Sequence, residues 1–245
     1  MSCEGLYMTN RDVLIPFVFA VVATLPACGK EYAAEPITAT VIDAETKKPI
    51  EGALVVARWI ANSRNIVGQV TDVGTVEVKD AITDASGKFH FDGWGLEYYR
   101  GDGQLEDEDP RLTIFKHGYK LHTVANGQFS KPSGKQYGGR AKRSVRSSSW
   151  DGETIGLTPF KGSIEEFALF VYTPLISTDV MALASPTKSP CAWARIPRAV
   201  SYLEQERRAI VKLGGSVGSF LEHLLHNDSY FVGQGCPSPR QVFGT

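Results

Sequence analysis

Thr83-Asp-Ala-Ser-Gly-Lys-Phe-His-Phe91 decides how this chain folds. Asp84-Ala-Ser-Gly87 has the makings of a tight turn, because Asp hydrogen-bonds backbone two residues on and Gly accepts positive φ. Lys88-Phe-His-Phe91 then alternates polar and apolar, the period of a strand with one buried face. Working toward the amino terminus, Thr75 to Ile82 alternates Val76 and Val78 with Glu77 and Lys79. Before it, Ile50 to Ile60 contains the apolar run Ala53-Leu-Val-Val-Ala57, and Ile37-Thr-Ala-Thr-Val-Ile42 is rich in β-branched residues. The breaker-rich Asp43 to Pro49 separates the last two. Working toward the carboxy terminus, Arg111 to Phe115 reads as a strand and His117-Gly118-Tyr119 as a turn. Short strands with turn signals between them predict an all-β sandwich. Gly52 and Gly87 are expected at positive φ, and Phe89, Phe91 and Tyr119 in the core.

Three of these segments resemble, in order, the carboxypeptidase regulatory-like domain. Thr40-Val-Ile-Asp43 with Lys48-Pro-Ile-Glu-Gly-Ala53 and Val55 is similar to its opening hairpin. Thr83 to Phe91 is similar to its T-D-x-x-G-x-F-x-F strand pair. Leu112-Thr-Ile-Phe-Lys-His-Gly-Tyr119 is similar to its later strand and Gly-Tyr turn. Glu153-Thr-Ile-Gly-Leu157 fits the closing strand. The resemblance implies a mainly β protein: a transthyretin-like (prealbumin-like) Greek-key β-sandwich of seven strands over residues 36–159. It implies no peptidase activity, because the zinc-bearing catalytic domain of the carboxypeptidases has no counterpart here.

Composition bounds the rest. Of 245 residues 42% are hydrophobic, enough for one large domain or a small domain with an appendage. A formal net charge of −1 argues against nucleic acid as a partner. The four cysteines, Cys3, Cys28, Cys191 and Cys236, form no CxxC pair, which excludes a zinc ribbon.

Val13 to Pro26 carries no charge and has the length of a secretory h-region, short for a membrane span. It runs into Leu25-Pro26-Ala27-Cys28, which resembles the lipobox of bacterial lipoproteins. The resemblance implies cleavage of 1–27 as a signal peptide, acylation of Cys28 with palmitate-like chains, and a membrane anchor in the bilayer. Two alternatives stand beside it: a buried amino-terminal helix, and an ordinary cleaved signal with a soluble product. Gly29, where Asp would mark inner-membrane retention, favours a lipid-anchored protein of the bacterial outer membrane facing the periplasm, with the cell surface as the alternative. Residues 28–35 read as a polar tether. Once Cys3 is discarded and Cys28 is acylated, Cys191 and Cys236 remain in an oxidising compartment, where a disulfide between them is the default and two separate thiols the alternative.

Two insertions interrupt the sandwich. Gly93 to Pro110 brings Trp94, Tyr98 and Tyr99 together with the acidic run Glu106-Asp-Glu-Asp109, expected as a solvated loop because it matches no EF-hand spacing, with a Ca²⁺-holding loop as the alternative. Asn126 to Ser149 is polar and basic, with Arg140, Lys142 and Arg143 among Gly and Ser; it reads as a mobile surface loop suited to an anionic partner. From residue 160 to 245 the period becomes helical. Ser163-Ile-Glu-Glu166 resembles a capping box opening a helix that Pro174 should end. Val200 to Leu213 is a second helix, stopped by Gly214-Gly215. A third carries Val217, Phe220, Leu221, Leu224 and Leu225 on one face. These helices should pack on the sandwich or on one another.

The chemistry is sparse. His223 and His226 are the only close histidine pair, and no third metal ligand accompanies them, so neither a metal nor another cofactor is expected. GxSxG, P-loop and dinucleotide motifs are missing. The expectation is therefore a non-catalytic envelope lipoprotein that binds or scaffolds. Cell-wall glycan or another envelope protein would be its partner, and Trp94, Tyr98, Tyr99, Arg140, Lys142 and Arg143 would make the contacts. The alternative is an envelope hydrolase or sensor with a site between the sandwich and the carboxy-terminal helices.

Overall fold

The computed structural model describes residues 30–99, 103–126, 136–137, 143–184, 189 and 191–244. Twelve strands appear in this order: β1 (Lys30–Ala34), β2 (Ile37–Asp43), β3 (Leu54–Arg64), β4 (Val70–Ile82), β5 (Lys88–Phe91), β6 (Trp94–Tyr99), β7 (Gln104–Leu105), β8 (Arg111–Phe115), β9 (His122–Val124), β10 (Gln136–Tyr137), β11 (Arg143–Arg146) and β12 (Thr154–Leu157). Eight of them build the sandwich. One sheet has the order β12-β2-β5 and the other β4-β3-β8-β9, with β7 added to β3. Val41, Val55, Ala57, Phe89, Phe91, Leu112, Ile114, Ile155 and Leu157 fill the space between the sheets. Each of the larger side chains contributes about 1.5–3 kcal/mol by leaving water.

The turn that anchored the sequence reading has the expected geometry. Asp84 Oδ1 accepts the backbone N–H of Ser86 at 2.8 Å and of Lys88 at 2.9 Å. Gly87 has φ +75°, and a Cβ there would collide with the carbonyl oxygen of Val41. Phe89 and Phe91 are buried. Tyr119 packs against the same core and donates its hydroxyl to Asp43 Oδ2 at 2.9 Å.

The helical region forms a third layer. Val55, Ala57 and Trp59 of β3 face the opposite sheet, whereas Leu54 and Val56 pack with Phe115 against the helices. That is why β3 is apolar without alternation: it is buried on both faces. The layer holds α1 (Ile164–Phe167), α2 (Pro197–Lys212), α3 (Phe220–His226), α4 (Asp228–Gly233) and α5 (Pro239–Phe243). Ser163 caps α1 in a reciprocal capping box with Glu166, as its sequence predicts. Cys191 and Cys236 form a disulfide, joining the start of the turn before α2 to the segment after α4.

Three expectations are corrected. Pro174 does not end the first helix. The chain continues helically through π turns at Ala168–Tyr172 and Leu175–Val180. These wider turns tolerate the missing proline N–H, and Thr173 Oγ1 donates to the Ala168 carbonyl at 2.7 Å. The 28–35 tether is not one over its described part, since Lys30–Ala34 is β1 with Tyr32, Ala33 and Ala34 buried. Nor are the two insertions separate loops. β6 from the first and β11 from the second pair with opposite edges of β1, giving a third sheet of order β10-β11-β1-β6. Alternation in these short segments is too brief to be read locally, and their pairing depends on partners far along the chain.

Candidate functional site

Of the expected binding residues, Trp94 and Tyr99 have described side chains, and both pack inward. Trp94 packs edge-to-face on Trp59, ring centroids 5.4 Å apart, and its indole Nε1 is shielded from solvent. Tyr99 is half-buried against the sandwich core. Both rings therefore support the junction of β6 with the sandwich. Tyr98 lies in β6 and Arg143 in β11; their side chains are outside the described residues, as are Arg140, Lys142 and Cys28 altogether.

The acidic run is also not simply a solvated loop. Asp109 is 1% exposed. Its Oδ1 accepts the Ile60 N–H at 3.2 Å and its Oδ2 the Glu106 N–H at 3.0 Å. Burial pushes its carboxyl up to about 6, against the pull of those two donors and of Arg111 and Arg146. Arg146 is buried too, donating to the Leu105 carbonyl at 2.6 Å and pairing with Asp107 at 3.2 Å. Asn126 Nδ2 bridges the carbonyls of Asp109 and Ser147. This polar clamp fastens both insertions to the sandwich.

A recess of about 390 Å³ opens between the outer face of the β4-β3-β8-β9 sheet and the helical segment around Pro174. Arg58, Ile60, Asp72, Arg111, Thr113, Leu121 and Thr123 line the rest of it. Its geometry follows from register. Arg58 of β3 stands directly opposite Arg111 of β8, and Thr113 directly opposite Thr123 of β9. Partners in register point to one face, so two guanidiniums and two hydroxyls converge. Arg58 is 5% exposed, within 3.6 Å of Asp72 and 3.4 Å of Thr75 Oγ1. Like charges in direct register normally destabilise a sheet. Among the described residues, the two guanidiniums and two hydroxyls give the recess donors suited to a carboxylate or phosphate group. Sequence reading missed it because Arg58 and Arg111 lie 53 positions apart; a lone Arg within the apolar run of β3 was the available signal.

On the far sheet, Thr38 Oγ1 lies 2.7 Å from His90 Nδ1, and His90 Nε2 lies 3.2 Å from Asp92 Oδ1. The order hydroxyl, imidazole, carboxylate is that of a nucleophile and its base. The group lies open on a sheet face with Asp92 nearly fully exposed, which gives a substrate little enclosure. His223 is half-buried and His226 exposed. Among the described residues no three His, Cys, Asp or Glu side chains are grouped to hold a metal ion, and no helix is long and apolar enough to cross a membrane.

No protein-family model matches the sequence, and no curated protein matches it. Solved structures overlap it in part. A 3-chlorocatechol 1,2-dioxygenase from Rhodococcus opacus is 16% identical, with 54% of this chain and 61% of that one covered at a TM-score of 0.26. A group B streptococcus pilus 2b backbone protein is 14% identical over 51% of this chain and 41% of that one, at 0.24. The shaft pilin SpaA from Lactobacillus rhamnosus GG is 16% identical over 55% and 51%, also at 0.24. This chain thus spans about two fifths to three fifths of each protein's length, and likeness at this level carries neither fold nor activity across.

Proposed function

We propose that the protein is a membrane-anchored lipoprotein of the bacterial envelope that works as a non-catalytic binding or scaffolding module. Its ligand site is the recess between the sandwich and the helical layer, and its ligand an acidic group on cell-wall glycan. The observation that carries this reading is the direct register of Arg58 with Arg111 inside that recess. The Leu-Pro-Ala-Cys28 segment supports the anchor, and Gly29 after it the outer-membrane location.

The test is calorimetric titration with soluble, carboxylate-bearing wall fragments. Arg111 is exposed, so Arg111→Glu should leave the fold intact and weaken binding by about tenfold or more, as expected when a charge-assisted pair is replaced by repulsion. Equal affinity in the two proteins would reject the recess as the site. Catalysis is the second reading, favoured by the Thr38–His90–Asp92 contacts. Turnover in a hydrolase screen that Thr38→Ala abolishes would replace the binding reading. For the anchor, radiolabelled palmitate should enter the wild type and not Cys28→Ala.

A further inference from the structure

The hairpin between β3 and β4 extends beyond the sandwich. Its last cross-strand pair is Arg64 with Val70, and residues 65–69 make the tip. Asn65 orders that tip: its Oδ1 accepts the N–H groups of Val67 at 3.1 Å and Gln69 at 2.9 Å, and its Nδ2 donates to Gln69 Oε1 at 3.1 Å. The ordered tip holds two aliphatic side chains in water, Ile66 at 104% exposure and Val67 at 81%. No residue of Asn65-Ile-Val-Gly-Gln69 is charged. The adjacent Arg64 is neutralised by a two-pronged contact with Glu106 at 3.0 and 2.9 Å.

The position of the tip identifies what covers it. Lys30 pairs with Tyr99, and its Nζ donates to the Gly103 carbonyl at 3.1 Å. The next residue, Gln104, pairs with Asn62, three positions before the tip begins. The described chain therefore starts at the hairpin's end of the molecule. Gly52 and Thr83, joined by a 2.8 Å backbone bond, mark the opposite end of β3 and β4. Cys28 precedes Lys30 by two positions, so an acyl anchor there puts the bilayer on the hairpin's side. Resting on the anchored reading, we propose that the tip dips Ile66 and Val67 into the interfacial zone of the same membrane. A few aliphatic groups added to an acyl chain strengthen and orient such attachment.

The test uses the full chain in a Cys3→Ser background, reconstituted in vesicles of phosphatidylethanolamine and phosphatidylglycerol that contain nitroxide-labelled lipid. An environment-sensitive dye is placed at Val67→Cys or, at the far end, at exposed Glu51→Cys. Quenching at position 67 should exceed that at 51 about threefold or more, and Ile66→Asp should remove the excess, because burying a charge opposes insertion. Equal quenching at both positions overturns the proposal. So does a blue-shifted but unquenched dye at 67, which would mark a protein occupant. The mass of the same sample reports acylation. Acylated protein without excess quenching rejects the hairpin contact and keeps the anchor. Excess quenching without acylation keeps the contact and rejects the anchor. Absence of both rejects both.

Discussion

Asp80 Oδ2, on a strand of the sandwich, accepts the backbone N–H of Ala199 at 2.7 Å and so caps the first turn of α2. Ile196, the residue at the cap position, has no side chain that could do this. The helix is therefore completed by the sheet it covers. Arg195, just before α2, donates to the Val76 carbonyl, and within α2 Tyr202 donates to the Gly52 carbonyl and Glu206 pairs with His117.

Asp80→Ala should cost about 1–2 kcal/mol of unfolding free energy, the size of a lost amino-terminal cap. Asp80→Asn keeps an acceptor and should retain most of it. Urea unfolding measures both. Equal losses in the two variants would assign the effect to charge rather than to the cap.

Trp94→Ala should destabilise by about 2 kcal/mol, below the value for a fully buried aromatic because the ring is half-covered. Affinity for wall fragments should not change. Thermal melting together with the calorimetric titration checks this, and weak capture by a fully stable variant would return Trp94 to a binding role.

Asp109 makes stability depend on pH. Its folded value of about 6 lies above the ordinary 3.8. Its contribution is therefore complete below pH 3.8 and is lost as pH rises through 6. The whole difference is about 3 kcal/mol. Burial of His122 and His223 lowers their values, which acts in the opposite sense near pH 6.5. The measurable quantity is thus the difference between wild type and Asp109→Asn. From pH 7 to pH 5 the wild type should gain stability relative to the variant. Parallel curves would contradict the assignment.

Reduction of Cys191–Cys236, or their joint replacement by Ala, should lower stability by about 4 kcal/mol on the chain-entropy account of a loop closed over 45 positions. Because the bridge lies in the helical layer, hydrogen exchange should rise first in α4 and α5. Uniform loosening of the sandwich instead would show that the layers unfold as one unit.

Glu204 shows how far side-chain chemistry could be read locally. Burial alone would raise its carboxyl, yet Arg207, Arg208 and Ser219 donate to it and hold it at about 2. The Arg pairs follow from helical spacing in the sequence. The Ser219 contact does not, because it needs α3 folded back on α2.

The sequence by itself determined the strands whose alternation is long enough to register, the turns at Asp84–Gly87 and Asp43–Pro49, the capping box at Ser163 and the positive φ of Gly52 and Gly87. All are governed by neighbours within a few positions, and period and turn chemistry act over that range. Only the tertiary structure decided that β3 is buried on both faces, that Lys30–Ala34 draws two distant insertions into one sheet, and that Pro174 lies within a helical run. It alone placed Trp94 against Trp59 and Arg58 beside Arg111. In each case the deciding partner lies far along the chain, and the free energy that fixes the arrangement exists only after the layers have packed.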